Sequence, residues 1–142
     1  MKKISIILLL LISSTVEMNA QNEFESISKT LTDYIEGSTQ GQPNRLKSAF
    51  YENLNLYYAK NDSIKVWSGK KYILSTKEGK PTGEYGKIIS IDFENNAAVA
   101  KVEIKHPKSK SSYIDYFMLL KAQGKWTIIH KMFTKRTPPT KK

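Results

Sequence analysis

Two hydrophobic periods share this chain. Apolar residues first recur at three- and four-residue steps, at Phe24, Ile27, Leu31, Tyr34 and Ile35, with Glu23, Glu25, Lys29 and Asp33 between them. That spacing predicts an amphipathic helix, stopped at Gly37. Ser38 to Gln42 reads as a loop, and Pro43 then opens a shorter helix buried through Leu46, Ala49 and Phe50. Next, Leu54, Leu56 and Tyr58 alternate with Asn53, Asn55 and Tyr57 as a strand would, and Asn61-Asp62 turns the chain into Ser63 to Trp67. Ser68 can cap a third helix, which carries Tyr72 and Ile73 and ends by Gly79.

From Lys87 onward the period is two. With Asn95-Asn96 as a two-residue turn, Glu94 opposes Ala97, and Ile89, Ile91 and Phe93 share a face with Ala98, Ala100, Val102 and Ile104. The other face carries Ser90, Asp92, Lys101, Glu103 and Lys105, so one side is buried and one wet. His106-Pro107 closes that strand. A final hairpin turns at Gln123-Gly124, and a regular register pairs Leu119 with Ile128, Phe117 with His130 and Asp115 with Met132. Asp115, Phe117, Leu119, Trp126, Ile128, His130 and Met132 then form one face, the wall of a pocket. The fold class is α+β: a curved antiparallel sheet wrapped over about three N-terminal helices.

The first twenty residues change the picture. Lys2-Lys3, the apolar run from Ile4 to Ile12 and Ala20 describe a signal peptide cut after Ala20, and hence an exported protein, periplasmic or extracellular. An uncleaved anchor is the other outcome, because Met18 is larger than the usual residue at its position. The chain has no cysteine, which excludes disulfides, thiolate metal sites and a lipidated cysteine. Residues 21–135 make one domain, and 136–142 a disordered basic tail. The mature form carries a net charge of +9, spread along the chain rather than gathered into a run. This argues against nucleic acid and for a solvated basic surface, with weak contact to anionic envelope polymers as the use that charge would suit.

Asp115 and His130 are the candidate catalytic pair: diagonal neighbours roughly 7–8 Å apart at Cα, an acid able to orient an imidazole. The alternative is that Asp115 lies at the rim in water while His130 caps a core of Phe117, Ile128 and Met132. Tyr58, Trp67, Tyr72, Phe117, Ile128 and Met132 are the candidate ligand-pocket residues, aromatic walls suited to a flat organic molecule. Tyr34 and Trp126 read as core. His106 stands apart beside Pro107, so no metal site is expected, and no cofactor is called for.

The order of elements, with Asp33-Tyr34-Ile35-Glu36-Gly37, Arg45-Leu46 to Ala49-Phe50 and Gly124 to Ile129, resembles nuclear transport factor 2-like proteins. The segments Lys87 to Asp92, Ala97 to Glu103 and Asp115 to Lys121 resemble the strands of the lumazine-binding group of small exported bacterial proteins. The resemblance covers about residues 23–135. It implies a cone-shaped, cystatin-like fold with a pocket at its open end, often a homodimer through the sheet, and a superfamily holding isomerases, dehydratases, cyclases and proteins without known activity. Nothing in these residues demands a pteridine. The expected function is non-catalytic binding of a small organic ligand or a protein partner through pocket or sheet. The rival is a cofactor-independent isomerase or dehydratase using His130 and Asp115.

Overall fold

A computed structural model describes residues 2–138, with side chains from Ala20 onward. The side chains of the expected leader before Ala20, and residues 139–142 of the expected tail, lie outside the described residues. The elements run α1 (Lys2–Thr39), α2 (Pro43–Ala49), β1 (Asn55–Lys60), β2 (Ser63–Ser68), α3 (Gly69–Ser75), β3 (Tyr85–Glu94), β4 (Ala97–Lys105), β5 (Ser112–Ala122) and β6 (Lys125–Arg136). Arg136, assigned above to a loose tail, instead closes β6, where it pairs with Ser112 and bonds Glu103 at 3.2 Å.

All six strands form one sheet in the order β2-β1-β6-β5-β4-β3. The strand made last lies near the middle, parallel to β1 and antiparallel to β5. Three tight turns are placed as the sequence predicts: Asn61-Asp62 and Gln123-Gly124 both take positive φ, and Asn95 does so between β3 and β4. Ser68 caps α3 by accepting from the Lys71 backbone N–H.

Gly37 does not stop α1, which continues to Thr39. A Cβ on Gly37 would lie 2.6 Å from the Leu46 nitrogen, so its role is to let α1 and α2 approach closely. Ile27, Leu31 and Tyr34 of α1 are buried with Leu46, Phe50, Leu56, Leu119, Trp126 and Ile128. Each large apolar side chain taken from water contributes about 1.5–3 kcal/mol, and this shared core fixes the helices against the sheet. Trp126 is also tied to α1, because its indole N–H donates to Glu23 at 2.7 Å.

Two register shifts distinguish the sheet from a regular ladder. On β3, Ile88 pairs with Val102 and Ser90 with Lys101, so Ile89 is extra. Ile88 therefore takes the inward place expected of Ile89, which is exposed. On β6, Ile128 pairs with Leu119 and His130 with Met118, so Ile129 is extra. From there outward, every β6 side chain points to the face opposite the one a regular hairpin would give it.

Candidate functional site

The bulge at Ile129 decides the site. Phe117 pairs with Lys131, and Asp115 with Phe133, so Lys131 and Phe133 point inward while His130 and Met132 point out. The expected pair of Asp115 with His130 is thus corrected: the two lie on opposite faces of the sheet. His130 stacks on Tyr57 instead, with ring centroids 4.7 Å apart, and Met132 is exposed on the same outer face.

On the inner face three buried polar groups meet. Tyr34 of α1 is 1% exposed, Asp115 of β5 1% and Lys131 of β6 4%. The Tyr34 hydroxyl donates to Asp115 Oδ2 at 2.6 Å, and Lys131 Nζ donates to the Tyr34 oxygen at 2.5 Å. Lys131 Nζ also lies 3.1 Å from Asp115 Oδ2. Opposite charges removed from water are tolerated when paired and hydrogen-bonded, and here one phenol bonds to both.

Aromatic rings complete the enclosure of the ammonium. Its nitrogen lies 4.7 Å from the ring centre of Tyr34, 5.2 Å from that of Tyr72, 5.3 Å from Phe133 and 5.8 Å from Phe117. Ring faces carry negative potential, so these contacts favour a cation. Burial, and then the Asp115 charge and Tyr72, push the Tyr34 phenol well above its ordinary range. Tyr34 therefore stands as a protonated donor.

This trio forms part of the wall of a cavity of about 520 Å³. Trp67 and Tyr72, packed edge to face at 5.0 Å, supply an aromatic side. The mouth is polar, with Ser38 and Ser75 beside the segment from Thr76 to Glu84, which brings Lys77 and Lys80. That segment is fastened to the end of α1: Thr82 N–H donates to Thr39 O, and Gly79 N–H to Gly41 O, both at 2.9 Å. A cavity of this size with few convergent polar groups suits a small organic ligand.

Of the six residues expected to line a pocket, Trp67 and Tyr72 line this cavity, while Phe117 and Met132 border a second hollow on the outer face of the sheet. Tyr58 stands behind the wall, stacked on Phe133 at 4.9 Å. Phe117 and Ile128 belong to the core, Phe117 meeting Tyr34 edge to face, and Met132 is outside. Lys131, Phe133 and Tyr34 were not expected at the site. The available signal was the doublet Ile128-Ile129, which breaks strict alternation and is matched by Ile88-Ile89 at the other bulge. No group of three His, Cys, Asp or Glu side chains able to hold a metal comes together among the described residues.

Residues 22–134 match the model of a family described as "Putative lumazine-binding". The chain belongs to that family. A nuclear transport factor 2-like protein of unknown function from Shewanella baltica OS155 has a crystal structure similar to this domain, with a TM-score of 0.70 and 22% identity, covering 82% of this chain and 96% of that one. The structure of a hexachlorocyclohexane dehydrochlorinase, LinA type 2, is similar with a TM-score of 0.61 and 11% identity, over 84% of this chain and 88% of that one. By sequence the chain is also similar to a protein named aldolase FrzH, from Cladobotryum sp, at 23% identity over 79% of this chain and 90% of the relative. These likenesses place this lumazine-binding-family member within the nuclear transport factor 2-like, cystatin-like fold, with helices packed on a curved mixed sheet.

Proposed function

We propose that this domain binds a small, flat organic molecule in its inner cavity, with an electron-rich group of the ligand directed to Lys131. The observation that carries the reading is the placement of one buried ammonium, held by Asp115 and Tyr34, in the wall of an aromatic cavity of about 520 Å³. Lys77 and Lys80 at the mouth add positive charge, which draws in anionic or strongly polarised molecules. Binding alone needs no turnover. The test is mass spectrometry of small molecules released from the purified, heat-denatured domain, followed by calorimetric titration of whatever is found. A ligand that binds equally well after Trp67→Ala and Tyr72→Ala would show that it lies elsewhere.

A second reading is favoured by the same trio. Asp115 meets both the Tyr34 hydroxyl and the Lys131 ammonium through Oδ2, and its Oδ1 has no partner among the described residues. A carboxylate with one uncommitted oxygen, beside a phenol and an ammonium, can take a proton from a bound substrate while its neighbours stabilise the charge that forms. Two of the similar proteins carry enzyme names, an aldolase and a dehydrochlorinase. Turnover of a co-purifying ligand, abolished by Asp115→Asn, would select this reading over simple binding.

The domain is further proposed to act outside the cytoplasm. Lys2, Lys3, the apolar run to Ile12 and Ala20 support it. N-terminal sequencing of the protein recovered from the cell envelope should begin at Gln21; a start at Met1 would favour the uncut anchor.

A further inference from the structure

We infer that Lys131 is a covalent capture residue, forming an imine with an aldehyde or ketone group of the cavity's ligand. The inference rests on the binding reading above and names the reactive group that such a ligand would carry. Lys131 is the only buried lysine among the described residues, and it forms part of the cavity wall. Every other feature that imine chemistry requires stands beside it: a carboxylate that can hold a proton, a phenol that can relay one, and apolar rings that limit water.

The steps balance. A proton passes from Lys131 Nζ to Asp115 Oδ2, 3.1 Å away. Two buried opposite charges become two neutral groups, which removes the desolvation cost of both ions. The freed lone pair attacks the carbonyl carbon, a C–N bond forms, and the C=O π pair moves to oxygen. That oxygen takes the Tyr34 proton, and Tyr34 recovers one from the nitrogen, to which it is hydrogen-bonded at 2.5 Å. Protonated Asp115 then gives its proton to the hydroxyl, the C–O bond breaks, water leaves, and the nitrogen lone pair closes the C=N bond. The product is a protonated imine beside an Asp115 carboxylate, so the original pair of charges is restored.

The outer lysines lack this arrangement. Lys29 and Lys121 pair with carboxylates nearer the surface, their side chains 77% and 30% exposed, so water reaches both. Hydrolysis then competes with imine formation, and no phenol bridges the two groups.

The experiment treats the mature domain with 6-methoxy-2-naphthaldehyde and sodium cyanoborohydride, which reduces an imine to a stable amine. Intact mass and peptide mapping locate the product, and 2-methoxynaphthalene, which has no carbonyl, reports cavity binding in parallel by calorimetry. The expected result is one adduct per chain on Lys131, favoured roughly tenfold over any surface lysine, and prevented by excess 2-methoxynaphthalene. Adducts spread over surface lysines while 2-methoxynaphthalene still binds would overturn the covalent inference and leave the binding reading standing. Failure of both probes to bind would overturn both. Because mapping is done on the unaltered protein, the result does not depend on whether Lys131→Met folds.

Discussion

Met118 faces His130 across β5 and β6, one residue out of step with the pairing of Leu119 and Ile128. The residue skipped is Ile129, and the skip is what brings a lysine rather than an imidazole to Asp115. Deleting Ile129 should restore a regular ladder and drive His130 inward while Lys131 turns to solvent. Asp115 would then keep its burial and lose its counter-ion, a loss of about 3–5 kcal/mol. Urea unfolding of the deletion variant measures it, and unchanged stability would show that the bulge does not govern which side chain faces in.

The same reasoning gives an ordering among substitutions at the trio. Lys131→Met leaves an unpaired buried carboxylate and should cost about 3–5 kcal/mol. The double variant Lys131→Met with Asp115→Asn should be more stable than Lys131→Met alone, because the unpaired charge is gone. Strict additivity of the two changes in denaturant titrations would contradict a direct pair.

Stability should also depend on alkaline pH through Tyr34. Its folded value is raised above the ordinary 10.0, so between that value and its folded one the folded state holds a proton that the unfolded chain releases. The contribution is fully present below pH 10.0 and is lost as pH rises through the folded value. Relative to the parent, Tyr34→Phe should therefore show a shallower decline in melting temperature above that pH. Parallel declines would mean that other groups set it.

Gly37→Ala tests the contact between α1 and α2. On helix propensity alone the change should stabilise by about 1 kcal/mol. The added carbon would instead meet the Leu46 backbone at 2.6 Å, and forcing such a contact typically costs about 1–3 kcal/mol. Thermal unfolding decides the sign, and a gain would show that the helices can separate freely.

Periodicity alone made the elements legible. The helices, the turns at Asn61-Asp62 and Gln123-Gly124, and the pairing of Glu94 with Ala97 follow from residue types that act locally. The site did not follow, because it depends on which face a side chain takes after a bulge, and one inserted residue reverses that for the rest of a strand. Asp115 was placed on the correct face since β5 itself carries no extra residue; His130 and Met132 were misplaced because β6 does. Tyr34 read as an ordinary core position, since nothing in its helical spacing announces a carboxylate from 81 residues further on. Lys131 was hidden by its charge: a lysine between His130 and Met132 looks like a surface residue until the strand is turned over.

The strand order has a consequence for the making of the molecule. A ribosome delivers β1 and β2 early and β3 to β5 later, yet these two groups touch through β6, which comes last. Until then the growing chain holds two unjoined pieces of sheet and an open seam between them. Tyr34 likewise waits for Lys131 to arrive. Loss of β6 would therefore do more than shorten the sheet: it would part β1 and β2 from β3, β4 and β5, leaving two separate ribbons where the whole molecule has one.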